Sequence, residues 1–234
     1  MCGRYSLTTP AEAVRRVFGY PERPNLMPRA NIAPTQDVAA VRRGDDGACH
    51  FVSLRWGLIP SWAKDVSFGA KTINARGETL VEKPAFRDAF RQRRCLIPAD
   101  GFYEWKTEAG AKQPYRIARD DGAPFGFAGL WERWTKASDG VPLETCSIVT
   151  TNANELLRPI HHRMPVILDP ADFAAWLDPA TSPAEAQALL RPCPPDGLIA
   201  YRVSRRVNKV ANDELSLIEP LVDDAPQDLQ PRLL

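Results

Sequence analysis

The second residue of the chain is a cysteine, and its place next to Met1 gives it chemistry that an internal cysteine lacks. An initiator methionine is removed efficiently before a small residue, so we expect a mature chain that begins with Cys2. Its α-amine has a reference pKa of about 7.7–8.0, so a useful fraction is uncharged at neutral pH. A neutral amine can form a Schiff base with an aldehyde, and the thiol can close on the imine carbon to give a thiazolidine. The alternative is a frayed terminus with an incidental cysteine.

A second candidate, Glu104, lies in a strand-like segment rich in aromatic residues, Gly101–Trp105. Strand alternation places Phe102 and Glu104 on the same face. A carboxyl group on an apolar face tends towards a raised pKa, which suits general acid–base catalysis. The alternative is an edge-strand glutamate that reaches water.

Two adjacent histidines, His161 and His162, lie between Pro159 and Pro165. The prolines stiffen this loop and favour extended conformations before them, so that one histidine could face a cleft and the other solvent. A histidine that titrates near 6.5 suits proton transfer, and a buried histidine with satisfied hydrogen bonds is the alternative. Adjacent histidines are badly placed to bind one ion, and we expect no metal and no cofactor.

A candidate phosphate site is formed by Asn74 and Arg76, which a strand would point in the same direction. An amide and a guanidinium on one face can hold phosphate or sugar oxygens. Arg4 could add a second phosphate contact. The alternative is a surface arginine beside a turn-forming asparagine. Two basic clusters could widen such a face, but runs of this kind are more often solvated: residues 87, 91, 93 and 94, and residues 202, 205, 206 and 209.

The composition bounds the class of protein that can carry these groups. The chain has 234 residues and a formal net charge of +1, which excludes a polycation that binds DNA by bulk attraction. It has no apolar run long enough for a membrane helix and no secretory signal. Its five cysteines are scattered without a CxxC pair, which argues against a disulfide scaffold or zinc knuckle. We therefore expect a cytoplasmic protein that is monomeric and has no membrane contact.

The elements that position these residues must be short, because the chain has 22 prolines. Strands recur in runs, which predicts an α+β fold with a mainly antiparallel sheet and short helices. We expect a single domain over residues 1–221 and a loosely held tail over 222–234. The predicted strands are residues 37–42, 50–56, 94–97, 101–105, 115–119, 125–131, 144–150 and 166–168, with a hairpin turn at 44–47. The predicted helices are residues 10–18, with Thr9 as N-cap, and 79–82, 85–92, 154–157, 170–177 and 183–190.

Taken in order, six segments resemble the SOS-response-associated peptidase (SRAP) family, the abasic-site processing proteins. They span nearly the whole chain: Cys2-Gly3-Arg4, Arg55–Trp62, Asn74-Ala75-Arg76-Gly77-Glu78-Thr79, Arg94–Trp105, Phe127–Trp131 and His161-His162-Arg163-Met164-Pro165. The resemblance implies the SRAP fold, with a barrel-like β-sheet core.

The resemblance also implies a covalent DNA-damage sensor that cross-links to abasic (AP) sites in single-stranded DNA and associates with the nucleoid during DNA damage. Cys2 would supply the amine and the thiol after autoproteolytic or aminopeptidase removal of Met1. Glu104 would be the acid–base residue, and His161 would transfer protons in sugar opening and in an AP-lyase reaction. Cross-link reversal is a further implied activity. Asn74 and Arg76 would position the site and its phosphate, Arg4 and Thr150 would make weaker DNA contacts, and Phe68 would stack on unpaired bases.

Two other functions stay open at this stage. One is a thiol peptidase that cleaves other proteins, with Cys2 as nucleophile and His161 as base. The other is a non-catalytic reader of single-stranded or modified DNA that uses Arg4, Arg76 and an aromatic platform.

Overall fold

The computed structural model describes residues 2–135 and 140–222. The strands in this part of the chain are β1 Tyr5–Leu7, β2 Arg29–Ile32, β3 Asp37–Arg43, β4 Cys49–Trp56, β5 Asn74–Arg76, β6 Arg94–Ala99, β7 Gly101–Glu108, β8 Ala111–Arg119, β9 Phe125–Thr135, β10 Pro142–Asn152, β11 Arg163–Pro165, β12 Ile167–Leu168 and β13 Leu198–Arg202. The α-helices are α1 Ala11–Phe18, α2 Arg87–Gln92, α3 Phe173–Leu177 and α4 Pro183–Ala188. Short 3₁₀ helices cover Val66–Lys71, Pro170–Asp172, Arg205–Asn208 and Leu215–Ile218. Residues 223–234 of the expected tail lie outside the described residues.

Five strands close into a barrel. They pair in the order β10-β4-β3-β6-β9, and β9 pairs back to β10, so the ring has no open edge. All these pairs are antiparallel except β10 with β4. The short strand β5 also pairs in parallel with β10, with Asn74 opposite Ile148 and Arg76 opposite Thr150. The predicted α+β class, mainly antiparallel and barrel-like with short helices, is confirmed.

A second, antiparallel sheet has the order β13-β8-β7-β1-β2. The N-terminal strand β1 lies in its interior, with Tyr5 opposite Phe102 of β7 and opposite Ile32 of β2. This pairing holds the first residues of the chain against the strand that carries Glu104.

The core joins the barrel to the N-terminal strand through aromatic side chains. The Tyr5 ring makes edge contacts with Trp56 and Phe127, at centroid distances of 5.4 and 5.8 Å. All three residues are fully buried. Rings of this size contribute a large part of the buried apolar area, so β1 is fixed in place by packing as well as by its hydrogen bonds.

Local structure differs from the predictions in a few places. Helix α1 begins at Ala11 with Pro10 as N-cap, and the predicted cap Thr9 instead hydrogen-bonds to Asp100. The helices predicted at residues 79–82 and 154–157 are hydrogen-bonded turns, each limited by a following proline. The predicted strand at 166–168 corresponds to the shorter β12, Ile167–Leu168. The short strands β1, β2, β5, β11 and β13 were not among the predicted strands. Within the described ranges, no helix is long and apolar enough to cross a membrane.

Candidate active site

Cys2 is buried at the junction between the two sheets. Its backbone carbonyl accepts a hydrogen bond of 2.8 Å from Nδ2 of Asn74, and its thiol lies 3.9 Å from the carbonyl oxygen of Arg4. Burial raises the pKa of the thiol, and the nearby charge of Glu104 raises it further. The structure therefore holds a protonated thiol next to a carboxyl group, and the interpretation of Cys2 as a frayed residue is wrong.

Glu104 lies on β7, which is enclosed between β1 and β8. Its side chain is only 3% exposed, so the alternative of an edge-strand glutamate that reaches water is wrong. Burial raises the pKa of Glu104 to about 7, because desolvation disfavours the carboxylate. A carboxyl group with this pKa can donate or accept a proton at neutral pH.

His161 joins this pair from the loop before β11. Its Nδ1 lies 3.9 Å from Oε2 of Glu104 and accepts a hydrogen bond of 3.0 Å from the backbone N–H of Arg163. Burial lowers the pKa of His161, so the ring is neutral over more of the pH range. The neighbouring His162 is exposed, and its ring stacks on His161 at a centroid distance of 4.4 Å.

The two predicted phosphate ligands share the outer face of β5. Asn74 and Arg76 alternate with the buried Ala75, and Arg76 is exposed. While Nδ2 of Asn74 binds Cys2, its Oδ1 is buried and accepts no hydrogen bond from the described residues. A buried acceptor in this state can receive a hydrogen bond from a bound ligand.

Arg4 and Thr150, the two weaker DNA contacts expected from the sequence, both bind other parts of the protein. The guanidinium of Arg4 donates hydrogen bonds to Oδ1 of Asn31 and to the backbone carbonyls of Val207 and Asn208. Thr150 is fully buried, and its carbonyl accepts a hydrogen bond from Arg163. Their predicted DNA contacts stay predictions, and the structure gives both residues partners within the protein.

Sequence reasoning missed Arg163 as a site residue. Its buried guanidinium binds the carboxylate of Glu78 through two hydrogen bonds of 2.6 and 2.8 Å, and it also contacts Asn152 and Thr150. Through its backbone N–H it also holds the ring of His161. The available signal was its position in the His161–Pro165 motif, two residues after the candidate histidine.

The predicted stacking residue, Phe68, is half-buried, and Trp62 was missed beside it. The two rings are in edge contact at a centroid distance of 5.2 Å, and Trp62 is 56% exposed. Together with Lys64 and Lys71 they line an open cavity of about 360 Å³. An exposed ring beside cations can stack on an unpaired base, so Trp62 and Phe68 form one aromatic platform.

The predicted catalytic residues Cys2, Asn74, Glu104 and His161 therefore lie close together although they come from four separate segments. The arrangement combines a buried thiol, an ionisable carboxyl group near neutrality, a neutral imidazole and an amide. Such a set can form a covalent bond to an electrophile and move the protons that the reaction requires. The exposed Arg76 adds a positive charge at the rim.

Comparison with known proteins gives consistent matches over most of the chain. Residues 1–210 match the family model described as SOS response associated peptidase (SRAP). The chain is 44% identical to the abasic site processing protein YoaM of Bacillus subtilis, over 94% of this chain and 98% of that protein. It is 32% identical to the abasic site processing protein YedK of Escherichia coli, over 94% and 100% of the two chains. It is 30% identical to the abasic site processing protein HMCES of Gallus gallus, over 98% and 81%.

Solved structures show the same fold. A protein from Bacteroides thetaiotaomicron superposes with a TM-score of 0.84 at 30% identity, and the match covers 94% of this chain and 100% of that one. A protein from Bordetella bronchiseptica superposes with a TM-score of 0.77 at 32% identity, with 87% and 100% covered.

Proposed function

The chain belongs to the SOS response associated peptidase family, and from this premise we propose that it processes abasic sites in single-stranded DNA by covalent capture through Cys2. The supporting observation is the burial of Cys2 beside Glu104. In this proposal Met1 is removed, by the protein itself or by an aminopeptidase, so that Cys2 presents both an α-amine and a thiol.

The proposed reaction begins with the α-amine of Cys2 and the C1′ aldehyde of the ring-opened deoxyribose. The amine adds to the carbonyl carbon, and the resulting carbinolamine loses water as Glu104 donates a proton to the leaving hydroxyl. This gives a protonated imine and the Glu104 carboxylate. The thiol sulfur then adds to the carbon of the protonated imine and gives its proton to the carboxylate, which restores the protonated form of Glu104. The product is a thiazolidine, one water is released, and no oxidant or reductant is needed.

The surrounding residues support these steps. His161, 3.9 Å from Glu104, exchanges protons during sugar opening and in any β-elimination that cleaves the strand. The open acceptor Oδ1 of Asn74 binds a sugar hydroxyl, and the exposed Arg76 binds the adjacent phosphate. A missing base also removes the cost of extruding a nucleotide from a stack. Reversal of these steps would release the DNA.

The test is denaturing gel electrophoresis after incubation with a single-stranded oligonucleotide that carries one AP site. We expect a retained band for the parent protein and none for Cys2→Ala. Both Cys2→Ala and Cys2→Ser keep the α-amine but lack the sulfur, so a band from either variant should appear only after the imine is trapped with borohydride. Cys193→Ala is the matched control, because Cys193 is also a free cysteine but lies outside the site. Intact mass of the purified parent should show the loss of Met1.

Other outcomes favour the rival functions. Turnover of internal bonds in a peptide library that depends on Cys2 would support a thiol peptidase. Salt-sensitive binding without any covalent band, unchanged in Cys2→Ala, would support a DNA reader. A retained band of normal intensity from protein that keeps Met1 would overturn the proposed chemistry, because its α-amine would not belong to Cys2.

A further inference from the structure

The second basic cluster of the sequence includes a turn that is hydrogen-bonded to Arg4, two residues after Cys2. Residues 204–209, here called the basic turn, contain the 3₁₀ helix Arg205–Asn208. The side chains of Arg205, Arg206 and Lys209 are exposed, whereas Val207 is fully buried in a small apolar cluster with Tyr103. The cationic side chains of the turn therefore point to solvent, and its one apolar residue, Val207, packs into the protein.

Side chains from the N-terminal segment and from strands β2 and β7 hold the turn in place. Arg4 donates to the carbonyl of Val207 at 2.7 Å and to that of Asn208 at 3.3 Å. Trp105, the residue after Glu104, donates from Nε1 to Oδ1 of Asn208 at 2.7 Å. Nδ2 of Asn31 donates to the carbonyls of Val207 and Lys209. A basic surface that only contacts solvent does not require these hydrogen bonds.

The charges of the turn are not equally available. Arg206 is paired with Glu214 at 2.5 Å. Arg205 uses its Nε for Gln113 and keeps its terminal nitrogens for other partners. Lys209 has no ion pair within the described residues. Arg205 and Lys209 are therefore the cations that an anionic partner can reach, and a chain of net charge +1 needs such a local patch to bind one.

We propose that the basic turn binds the phosphates of the DNA strand on one side of the abasic site, and that Arg4 acts as a positioning residue for this turn. This inference rests on the proposed function. Cys2 is hydrogen-bonded to Asn74 on β5, the strand that also carries Arg76, and Arg4, two residues after Cys2, is hydrogen-bonded to the turn. The DNA backbone then runs from Arg76 to the turn past the reacting sugar.

The test compares the variant Arg205→Gln/Lys209→Gln with the parent. The probe is a single-stranded oligonucleotide with a tetrahydrofuran abasic analogue, which has no aldehyde and so reports only reversible binding. Affinity for a single strand falls as salt rises, and each lost phosphate contact reduces the steepness of log affinity against log salt by about 0.7. We expect a slope reduced by about 0.7–1.4 and an affinity roughly five- to 25-fold lower at about 0.1 M salt.

Arg16→Gln/Arg23→Gln is the matched control, because it removes the same charge from two exposed arginines near Glu12, beyond the other end of β1. Its slope should equal that of the parent. A shortened probe gives a second test: parent and variant should bind equally once the flank that crosses the turn is removed.

The proposal is overturned if the variant has the parent's slope, or if the control variant loses as much affinity as the turn variant. Parent-like thermal unfolding of the turn variant excludes misfolding. Failure of this inference is distinguishable from failure of the proposed function, because at saturating protein the turn variant should still give a Cys2-dependent band with an AP-site oligonucleotide.

Discussion

Burial of the Glu104 side chain decides whether its carboxyl group can act as a proton donor near neutral pH. An ordinary glutamate is ionised at neutral pH, but desolvation raises the pKa of this one to about 7. Imine formation needs a neutral amine and a proton donor together. With the α-amine near its reference pKa of about 7.7–8.0, the neutral amine and the protonated Glu104 coexist only in a narrow range of pH.

The rate of cross-linking should therefore depend on pH in a bell shape, with a maximum between about pH 7 and 8. Glu104→Gln cannot donate the proton, so its rate should be about 10²–10⁴-fold lower, the usual contribution of general acid–base catalysis. Its rate should rise with pH to a plateau, without the fall on the alkaline side. Single-turnover cross-linking with an AP-site oligonucleotide, followed across pH on denaturing gels, measures both effects.

His161→Asn separates the two titrating groups in that experiment. Burial lowers the pKa of His161, so its titration belongs to the acid side of the profile. The variant should keep the alkaline limb that Glu104→Gln loses. If Glu104→Gln keeps that limb and His161→Asn loses it, Glu104 is not the proton donor.

Among the elements, the junction between β6 and β7 depends on one buried carboxylate, Asp100. It accepts hydrogen bonds from Ser6 and Thr9 and forms an ion pair of 3.2 Å with Arg116. Burial alone raises the pKa of Asp100, but the bond from Ser6, the charge of Arg116 and the bonds from Thr8 outweigh it, and the pKa falls below its ordinary value. Asp100 therefore ties β1, the entry to α1 and β8 together.

Asp100→Asn should lower the free energy of unfolding by about 3–5 kcal/mol, because it leaves Arg116 buried without its counter-charge. The lowered pKa stabilises the fold above the ordinary pKa of an aspartate, and this contribution is lost as the pH falls through the folded value. The difference between parent and variant should therefore shrink below about pH 4. Urea unfolding at several pH values measures it.

Asp121→Asn is the control for this comparison. Asp121 also pairs with an arginine, Arg119, which lowers its pKa to about 2, but it is exposed. Water screens such a pair, so the variant should lose no more than about 1 kcal/mol. An equal loss for the two variants would show that burial at the junction is not what makes Asp100 important.

The elements also show how far sequence reasoning reached. The long barrel strands were predicted because their apolar pattern is strong over several residues, whereas β1 and β2 are too short to show a period. Cys2, Glu104 and His161 were found from their types and from a family resemblance. Arg163 was missed because its importance comes from contacts with Glu78 and Thr150 that only the folded chain brings together.

For the whole molecule, keeping Glu104 in the core has a cost that depends on pH. Its folded pKa of about 7 is above the ordinary value of 4.5, so the folded state binds the proton more tightly. This stabilisation is fully present below the unfolded pKa and is lost as the pH rises through the folded pKa. By this linkage the fold is about 3 kcal/mol less stable above pH 7 than in acid.

Glu104→Gln should remove this dependence, because the amide has the shape of the protonated acid and does not ionise. The variant should melt several degrees above the parent at pH 8 and at the same temperature near pH 4. Glu78→Gln is the control of opposite sign: its hydrogen bonds with Arg163 lower the pKa of Glu78, so this variant should be less stable than the parent at pH 8. If the melting temperatures of Glu104→Gln and the parent differ by the same amount at pH 4 and at pH 8, the raised pKa of Glu104 is contradicted. A variant that gains stability while it loses cross-linking would show that the fold gives up stability at Glu104 to keep a proton donor that works near neutral pH.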